Sequence, residues 1–371
     1  MFKFLLNNLY DIEPDSFGLD VSDESYKFIQ LKKSKKNIGL QSFGYGDIGN
    51  GIIENGEVKD EDALVEIIKD AVKNPAKGKI TTKHVVLSLP EEHSFIRVLQ
   101  LPKIGKEETK EAIKWEIEQN IPLGIDEVYF DWQVMNDKDS KNDHQDILIV
   151  AIAKEVADPY LSVTKKSGLI GVAMESESIS LARSVIKNLS TDAPVLIVNI
   201  GSTITNFVIF SGDAVRFSSS IPLAGDKMIE AISKKLKVDK KEAKRLFYEV
   251  GLDKKLDTDG AVASALESSF FELTSQIKNY ISFYESHSEH DHTSNKKNIQ
   301  KIILSGGVAN LYGIAAHISN ILKIQAEISN PWVNILKGEL NEVPDLSYKK
   351  SLSYTTALGL ALRGIESKNT Q

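Results

Sequence analysis

Two short polar turns, each set between apolar strand-forming runs, carry the chemistry legible in this sequence. The first lies within Gly18 to Leu31 and reads Asp20-Val21-Ser22-Asp23-Glu24-Ser25-Tyr26-Lys27. The second lies within Val198 to Phe210 and reads Asn199-Ile200-Gly201-Ser202-Thr203-Ile204-Thr205. Successive backbone N–H groups in such turns make concavities that attract anions. One hairpin of this kind in each half of a chain is a way for two lobes to grip a phosphate chain between them. A third turn, Ser305-Gly306-Gly307-Val308-Ala309-Asn310, has two glycines through which a backbone can approach a ligand closely.

Other reactive patterns are thinner. His287, His290 and His292, with Glu289 and Asp291, have side chains that suit Zn²⁺ or Ni²⁺, but a polar connection fixes no ligand geometry and a solvated loop is expected. His84 and His93 flank a strand with no Ser or Asp spaced to complete a nucleophile–base set, so hydrolase chemistry has little support. Trp115 sits two residues from Ile113 and about 200° round the helix from it, off the Ile113/Ile117/Ile121 stripe. It must face something else: most simply the neighbouring lobe, otherwise a docked peptide. Arg97, on a strand, offers a cation for an anionic or carbonyl group of a peptide, although a plain surface Arg is the commoner arrangement.

These residues are positioned by alternating strands and helices. Phe17 to Val21 and Tyr26 to Leu31 read as a hairpin, followed by a strand near Gln41 to Tyr45 and a helix carrying Leu64, Ile67, Ile68, Ala71 and Val72 on one stripe. Val85 to Leu89 is a buried strand stopped by Pro90. A different texture follows: strand Phe95 to Leu101, charged helix Glu107 to Ile121, strand Val128 to Met135, strand Ile147 to Ala153 and helix Asp158 to Ser167. That order reads as a small module inserted in the first domain. Beyond the turn-rich link Ser190 to Pro194 come strands Val195 to Asn199 and Thr205 to Phe210. Helices are expected at Asp226 to Lys237, Lys240 to Glu249 and Val262 to Ser286, then strand Ile299 to Leu304 and helix Leu311 to Leu322. The final helix, Thr355 to Arg363, is rich in small residues and should pack tightly.

Composition narrows the classes. With 371 residues, 42% hydrophobic and 26% charged, the chain has the make-up of a globular protein of two or three domains. Its net charge of −7 argues against general nucleic-acid binding, and zero cysteines removes disulfides and thiolate sites. No apolar run reaches the roughly 18 residues of a membrane span. The opening MFKFLLNNLY has no cleavage pattern of a signal peptide; it reads as a terminal segment, with a short interfacial helix as the other option.

From Phe17 to about Gly364 the sequence resembles the actin-like ATPase superfamily, and within it the type IV pilus assembly protein PilM family. The most specific stretch is Glu111 to Met135, EAIKWEIEQNIPLGIDEVYFDWQVM; Ile147 to Leu161 and Ser353 to Gly364 are similar too. The resemblance implies an α/β, actin-like bilobed fold, two RNase H-like lobes with an inserted FtsA-like α+β module. It divides the chain into a first lobe (1–89, 156–190 and 345–371), a module (90–155) and a second lobe (191–344) with a helical insertion near 226–262. It implies ATP or ADP with Mg²⁺ as ligand. Asp20 matches a position reaching Mg²⁺ through water, Ser25 a hydroxyl near the phosphates, and Lys27 a cation behind the turn. Ser22 stands where the family's Gly is usual, and Asn199 where Asp is usual. Gly201, Ser202, Thr203 and Thr205 keep the second loop, Gly225 matches the second Gly of a Gly-Gly-Asp, and Gly306, Gly307 and Asn310 form the third element. Asp23 and Glu24 would place two negative charges near the phosphates unless they point outward or share a metal. Ala243-Lys244-Arg245-Leu246-Phe247 departs from the family's Ala-Glu-x-x-Lys. Together these features imply nucleotide binding with weak or no hydrolysis.

The resemblance further implies a cytoplasmic scaffold, peripheral at the cytoplasmic face of the inner membrane. There it would bind the N-terminal tail of a PilN-like membrane protein in a groove between first domain and module, for which Arg97 and Trp115 are the candidate contacts, and would meet pilus motor components. An FtsA-like membrane-associated filament is the alternative, although the ending after Gly364 is short and polar for that family's anchor. A kinase of the same superfamily is a third reading, ill-suited to the inserted module.

Overall fold

The computed structural model describes residues 15–33, 37–135, 144–253, 255–287, 298–336 and 344–366. The opening MFKFLLNNLY, His290 and His292 lie outside them. β1 (Ser16–Val21) is buried along its whole length, as a strand with neighbours on both edges and cover on both faces must be. A three-residue turn returns the chain antiparallel in β2 (Ser25–Lys33), and β3 (Ile38–Asp47) continues the meander. The register sets Asp20 opposite Lys27 and Val21 opposite Tyr26. A two-stranded ribbon, β4 (Ile53–Glu54) and β5 (Glu57–Val58), leads to α1 (Glu61–Lys73), capped where Asp60 accepts from the Ala63 N–H at 3.0 Å. After the short β6 (Lys77–Gly78), β7 (His84–Leu89) pairs parallel to β1.

The next segment forms its own sheet. β8 (Ser94–Pro102), α2 (Lys106–Asn120), β9 (Val128–Val134) and β10 (His144–Ala153) give the order β8-β10-β9, with α2 laying Ile113 and Ile117 on Leu99, Ile147 and Ile149. Alternation along the strands turns Ile96, Leu148 and Val150 to the opposite face, where they join a core containing Val208, Phe210 and Val215. α3 (Lys154–Lys166) starts four residues earlier than its sequence pattern suggests and holds Pro159 inside. β11 (Ile170–Ser176) then completes a six-stranded sheet, β11-β7-β1-β2-β3-β6, and α4 (Glu177–Val185) follows at once.

The second half repeats the plan. β12 (Thr191–Ile200), β13 (Thr205–Gly212) and β14 (Ala214–Ile221) form an antiparallel meander. α5 (Gly225–Leu236), α6 (Lys240–Glu249) and α7 (Ala261–His287) precede β15 (Lys301–Ser305), α8 (Ile314–Leu322) and β16 (Gln325–Ile328). The order β14-β13-β12-β15-β16 has the same sequence of parallel and antiparallel pairings as β3-β2-β1-β7-β11. Asn199 faces Asn206 where the first half has Asp20 facing Lys27.

After the short α9 (Tyr348–Ser351), the final helix α10 (Thr355–Glu366) packs between β1 and α4 at backbone distance. A Cβ on Gly359 would sit 1.8 Å from the Ser180 carbonyl oxygen, and one on Gly18 would sit 2.5 Å from that of Ala357. Arg363 of α10 and Arg183 of α4 both ion-pair with buried Glu175. The small residues expected to pack tightly therefore do so by removing side chains from the contact.

Candidate functional site

The ends of β1, β12 and β15 converge on a cavity of about 300 Å³ lined by all three turns. In the first turn the Ser22 N–H donates to the Ser25 carbonyl at 2.9 Å, the Ser22 hydroxyl to the same oxygen at 3.0 Å, and the Lys27 ammonium to Ser25 Oγ at 2.7 Å. The turn's hydroxyls are thus engaged with the turn itself. Both Asp23 oxygens point away from the cavity, accepting from the Asn55 and Gly56 N–H groups at 2.9 Å. Glu24 lines the cavity. Behind it Asp20, 9% exposed, accepts from the Ser88 hydroxyl at 3.0 Å; burial pushes its pKa up, against the opposing effects of Lys27 and Ser88.

The second turn is tied to the start of α5. Gly201 N–H donates to Ile204 O at 2.9 Å, Gly225 N–H to Gly201 O at 3.1 Å and Asp226 N–H to Ser202 O at 2.9 Å. Thr203 and Asn199 line the cavity beside them. Thr205 does not: its side chain is fully buried and its hydroxyl donates to the Leu223 carbonyl. In the third turn Gly306 has φ of +85°, and a Cβ there would meet Ile200 O at 2.3 Å, so only glycine fits the chain crossing. Gly307 has the opposite surroundings, with nothing nearer than 4.0 Å to an added Cβ. Asn310 lies outside the cavity lining, its amide donating to Gly307 O at 3.2 Å and Lys349 O at 2.9 Å.

The cavity is acidic. Asp20, Glu24, Asp47, Glu177 and Asp226 line it against Lys27 and Lys244. Burial, with Asp20, Glu92 and Glu91 nearby, raises the Glu177 carboxyl well above the carboxylate range, which favours its neutral form. Its Oε2 accepts from the Asn206 amide at 2.7 Å, while Asn206 Oδ1, on a residue 1% exposed, has no protein partner. Glu24 is raised too, by burial first and then by the neighbouring Asp226 carboxyl; Ser202 and Lys240 act in the opposite sense.

A second cavity, about 200 Å³, opens where the small sheet meets α4, β11 and the turn between β13 and β14. Leu148, Val150, Ile179 and Phe210 form its apolar wall; Arg183, Arg363, Asp131 and Asp213 supply charge. Neither Arg97 nor Trp115 borders it. Arg97 lies on the α2 side of its sheet, 3.3 Å from Glu116 and bonded to Asn120. Trp115 is 63% exposed, so the expected contact with a neighbouring lobe is not made. The helix puts only Thr109, Ile113 and Ile117 into the core, and Trp115 falls outside that arc.

The sequence matches the family described as type IV pilus assembly protein PilM over residues 18–365. The chain belongs to the PilM family. Among solved structures it is similar to the PilM-PilN type IV pilus biogenesis complex at 22% identity and TM-score 0.79, covering 96% of this chain and 100% of that one. It is also similar to ethanolamine utilization protein EutJ from Carboxydothermus hydrogenoformans (13% identity, TM-score 0.55, 94% and 89% covered). A further likeness is to MreB 5 of Spiroplasma citri bound to AMPPNP (14% identity, TM-score 0.53, 95% and 97% covered). The fold is the actin-like ATPase fold.

Several residues lining this PilM-family cleft are not evident in the sequence: Glu177, Asn206, Lys244, Tyr248 and Thr355. Lys244 and Tyr248 come from α6, the helix whose sequence departs from the superfamily pattern; its Ala243 and Phe247 are buried in the core instead. Their i, i+4 spacing was the available signal for a shared face. Glu177 follows Glu175 by two residues at a strand–helix junction, and the pair divides, one to Arg183 and Arg363, the other to the cleft.

Proposed function

We propose that the chain is a scaffold of the type IV pilus inner-membrane platform, peripheral at the cytoplasmic face, which holds the N-terminal tail of a PilN-like membrane protein and meets the motor side. The reading is supported by family membership together with the apolar cavity beside the small sheet. We read the chain as two lobes and a module with the boundaries expected from the sequence. The tail contacts we favour are the cavity's Leu148, Val150, Ile179 and Phe210 rather than Arg97 and Trp115, because an apolar wall with a charged rim suits an extended peptide.

We assign ATP or ADP with Mg²⁺ to the cleft. The room at Gly307 and the partnerless Asn206 Oδ1 suit a polar ligand there. Asp20 would hold a metal-bound water; Ser202 and Thr203 would offer N–H and hydroxyl donors to phosphates, while Gly201 and Gly225, whose own N–H groups are used within the turn, would let the backbone lie close to them. Gly306, Gly307, Lys244 and Tyr248 would border the nucleoside. A carboxyl favoured in its neutral form is a poor proton acceptor, so Glu177 supports holding a nucleotide over turning it over.

The test is retention of a synthetic PilN-type N-terminal peptide. Wild-type protein is expected to bind it, and Ala214→Trp, which narrows the cavity, is expected to weaken binding at least about tenfold. Equal binding by both would refute the assignment of the groove.

A further inference from the structure

Positive charge is gathered at one elbow of the second half. In a chain of net charge −7, the twelve residues from Lys234 to Arg245 hold seven basic side chains against Asp239 and Glu242, and all seven are exposed. They end α5 and begin α6, two packed helices joined by Lys237, Val238 and Asp239. Local structure does not account for them. Lys237 takes a left-handed backbone (φ +55°) at the end of α5, a position that favours glycine or asparagine. Lys240 and Lys241 lie in the first turn of α6, where the helix dipole disfavours cations. Lys240 and Lys244 repel at i, i+4 spacing, as do Lys241 and Arg245. Lys234 pairs with Glu230, Lys235 bonds to Ser264, and Arg245 pairs with Glu242 and Glu249. Lys237, Lys240 and Lys241 have no ion-pair partner among the described residues.

We propose that this elbow is a docking surface for an anionic phospholipid bilayer. Six of its seven basic side chains are lysine, point charges on flexible stems, which suit a field of headgroups. A single fixed carboxylate or phosphate is better met by the planar fork of arginine. Protein–protein interfaces are depleted in lysine and rich in aromatic residues, and the segment from Lys234 to Arg245 contains no aromatic residue. An extended nucleic acid would run from the elbow onto a chain that is acidic elsewhere. Each lysine close to an anionic leaflet is attracted to it, and salt weakens the attraction. The choice of a bilayer rests on the membrane-peripheral reading above and adds to it a contact between lipid and the chain itself, separate from the partner's tail.

Vesicle sedimentation of the full chain, with no peptide present, tests the proposal. Wild type is expected to pellet with vesicles containing phosphatidylglycerol, not with pure phosphatidylcholine, and to be released by high salt. The variant Lys237→Asn, Lys240→Glu, Lys241→Glu is expected to bind at least about a hundredfold more weakly, at roughly fivefold per lysine. It also relieves the left-handed lysine and the adverse charges of α6, so its thermal midpoint should hold or rise. The milder Lys240→Gln with Lys241→Gln should weaken binding about twentyfold and decides the matter if the first variant folds poorly. Lys69→Gln, Lys73→Glu and Lys79→Glu, exposed on the first half, change the net charge equally and should leave vesicle binding close to wild type. Wild type that ignores both vesicles, an elbow variant that pellets like wild type, or an equal loss in the first-half control overturns the proposal. Tighter binding of wild type to a single-stranded oligonucleotide than to the vesicles overturns the choice of lipid. The elbow variant should retain the PilN-type peptide at wild-type strength, so failure on vesicles and failure of the groove reading are seen apart.

Discussion

The two halves share one strand plan and differ at the residues that meet in the cleft. Asp20 opposite Lys27, with Ser88 behind, becomes Asn199 opposite Asn206, with Ser305 alongside. The first turn has two carboxyls and no glycine; the second has Gly201, two hydroxyls and no charge. A common backbone geometry has therefore been given opposite side-chain tasks. The first half spends its polar groups on its own turn and on the Asn55 and Gly56 amides of the same half, while the second offers donors to whatever enters. The halves also differ in how they are closed: the first by a helix at backbone distance and a buried Glu175–Arg183–Arg363 cluster, the second by a continuous apolar core.

Breaking the ionic closure should have the largest effect. Glu175→Gln leaves two partly buried guanidinium groups without their carboxylate and should cost about 3–5 kcal/mol in urea unfolding. Although burial opposes ionisation, Arg183 and Arg363 outweigh it and hold Glu175 down to about 2. Its contribution is then complete above its unfolded value of 4.5 and disappears as pH falls towards 2, a loss that Glu175→Gln should not show. Gly359→Ala tests the helix contact. A methyl driven at the Ser180 carbonyl should cost about 1–3 kcal/mol, and a substitution without cost would contradict the backbone packing.

Smaller changes sharpen the contrast between the turns. Asp23→Ala frees the Asn55 and Gly56 amides and should lower stability by about 1 kcal/mol, with faster hydrogen exchange confined to that ribbon. Glu177→Gln mimics a group already favoured as neutral, so stability at neutral pH should hold or rise, and fall only if Glu177 is ionised. The sign follows from its raised pKa: the folded protein keeps a proton the unfolded chain gives up, so wild-type stability declines as pH rises above 4.5 through this group.

Most of the cleft's turns were legible because strand–turn–strand is local: Ser22, Ser25, Lys27, Gly201, Ser202 and Thr203 lie within a few residues of the strands that aim them. Thr205 and Asn310 have suitable chemistry, but the fold uses them on Leu223, Gly307 and Lys349 carbonyls, partners that spacing does not reveal. Glu177 and Tyr248 reach the cleft from helices far along the chain, so only tertiary structure brings them in. Helical periodicity correctly put Trp115 off the core stripe, yet it says nothing of what lies opposite, and solvent does. The outward turn of Asp23 depends on a ribbon some thirty residues later.

The central claim is that the second half supplies the donors of a nucleotide seat which the first half opposes. Calorimetric titration with Mg-ATP, run on wild type and Ser202→Ala together, tests it most directly. The account predicts saturable heat below millimolar ligand for wild type and binding weakened about tenfold by the loss of the Ser202 hydroxyl. No heat at millimolar Mg-ATP, or equal affinity in the two proteins, would contradict it.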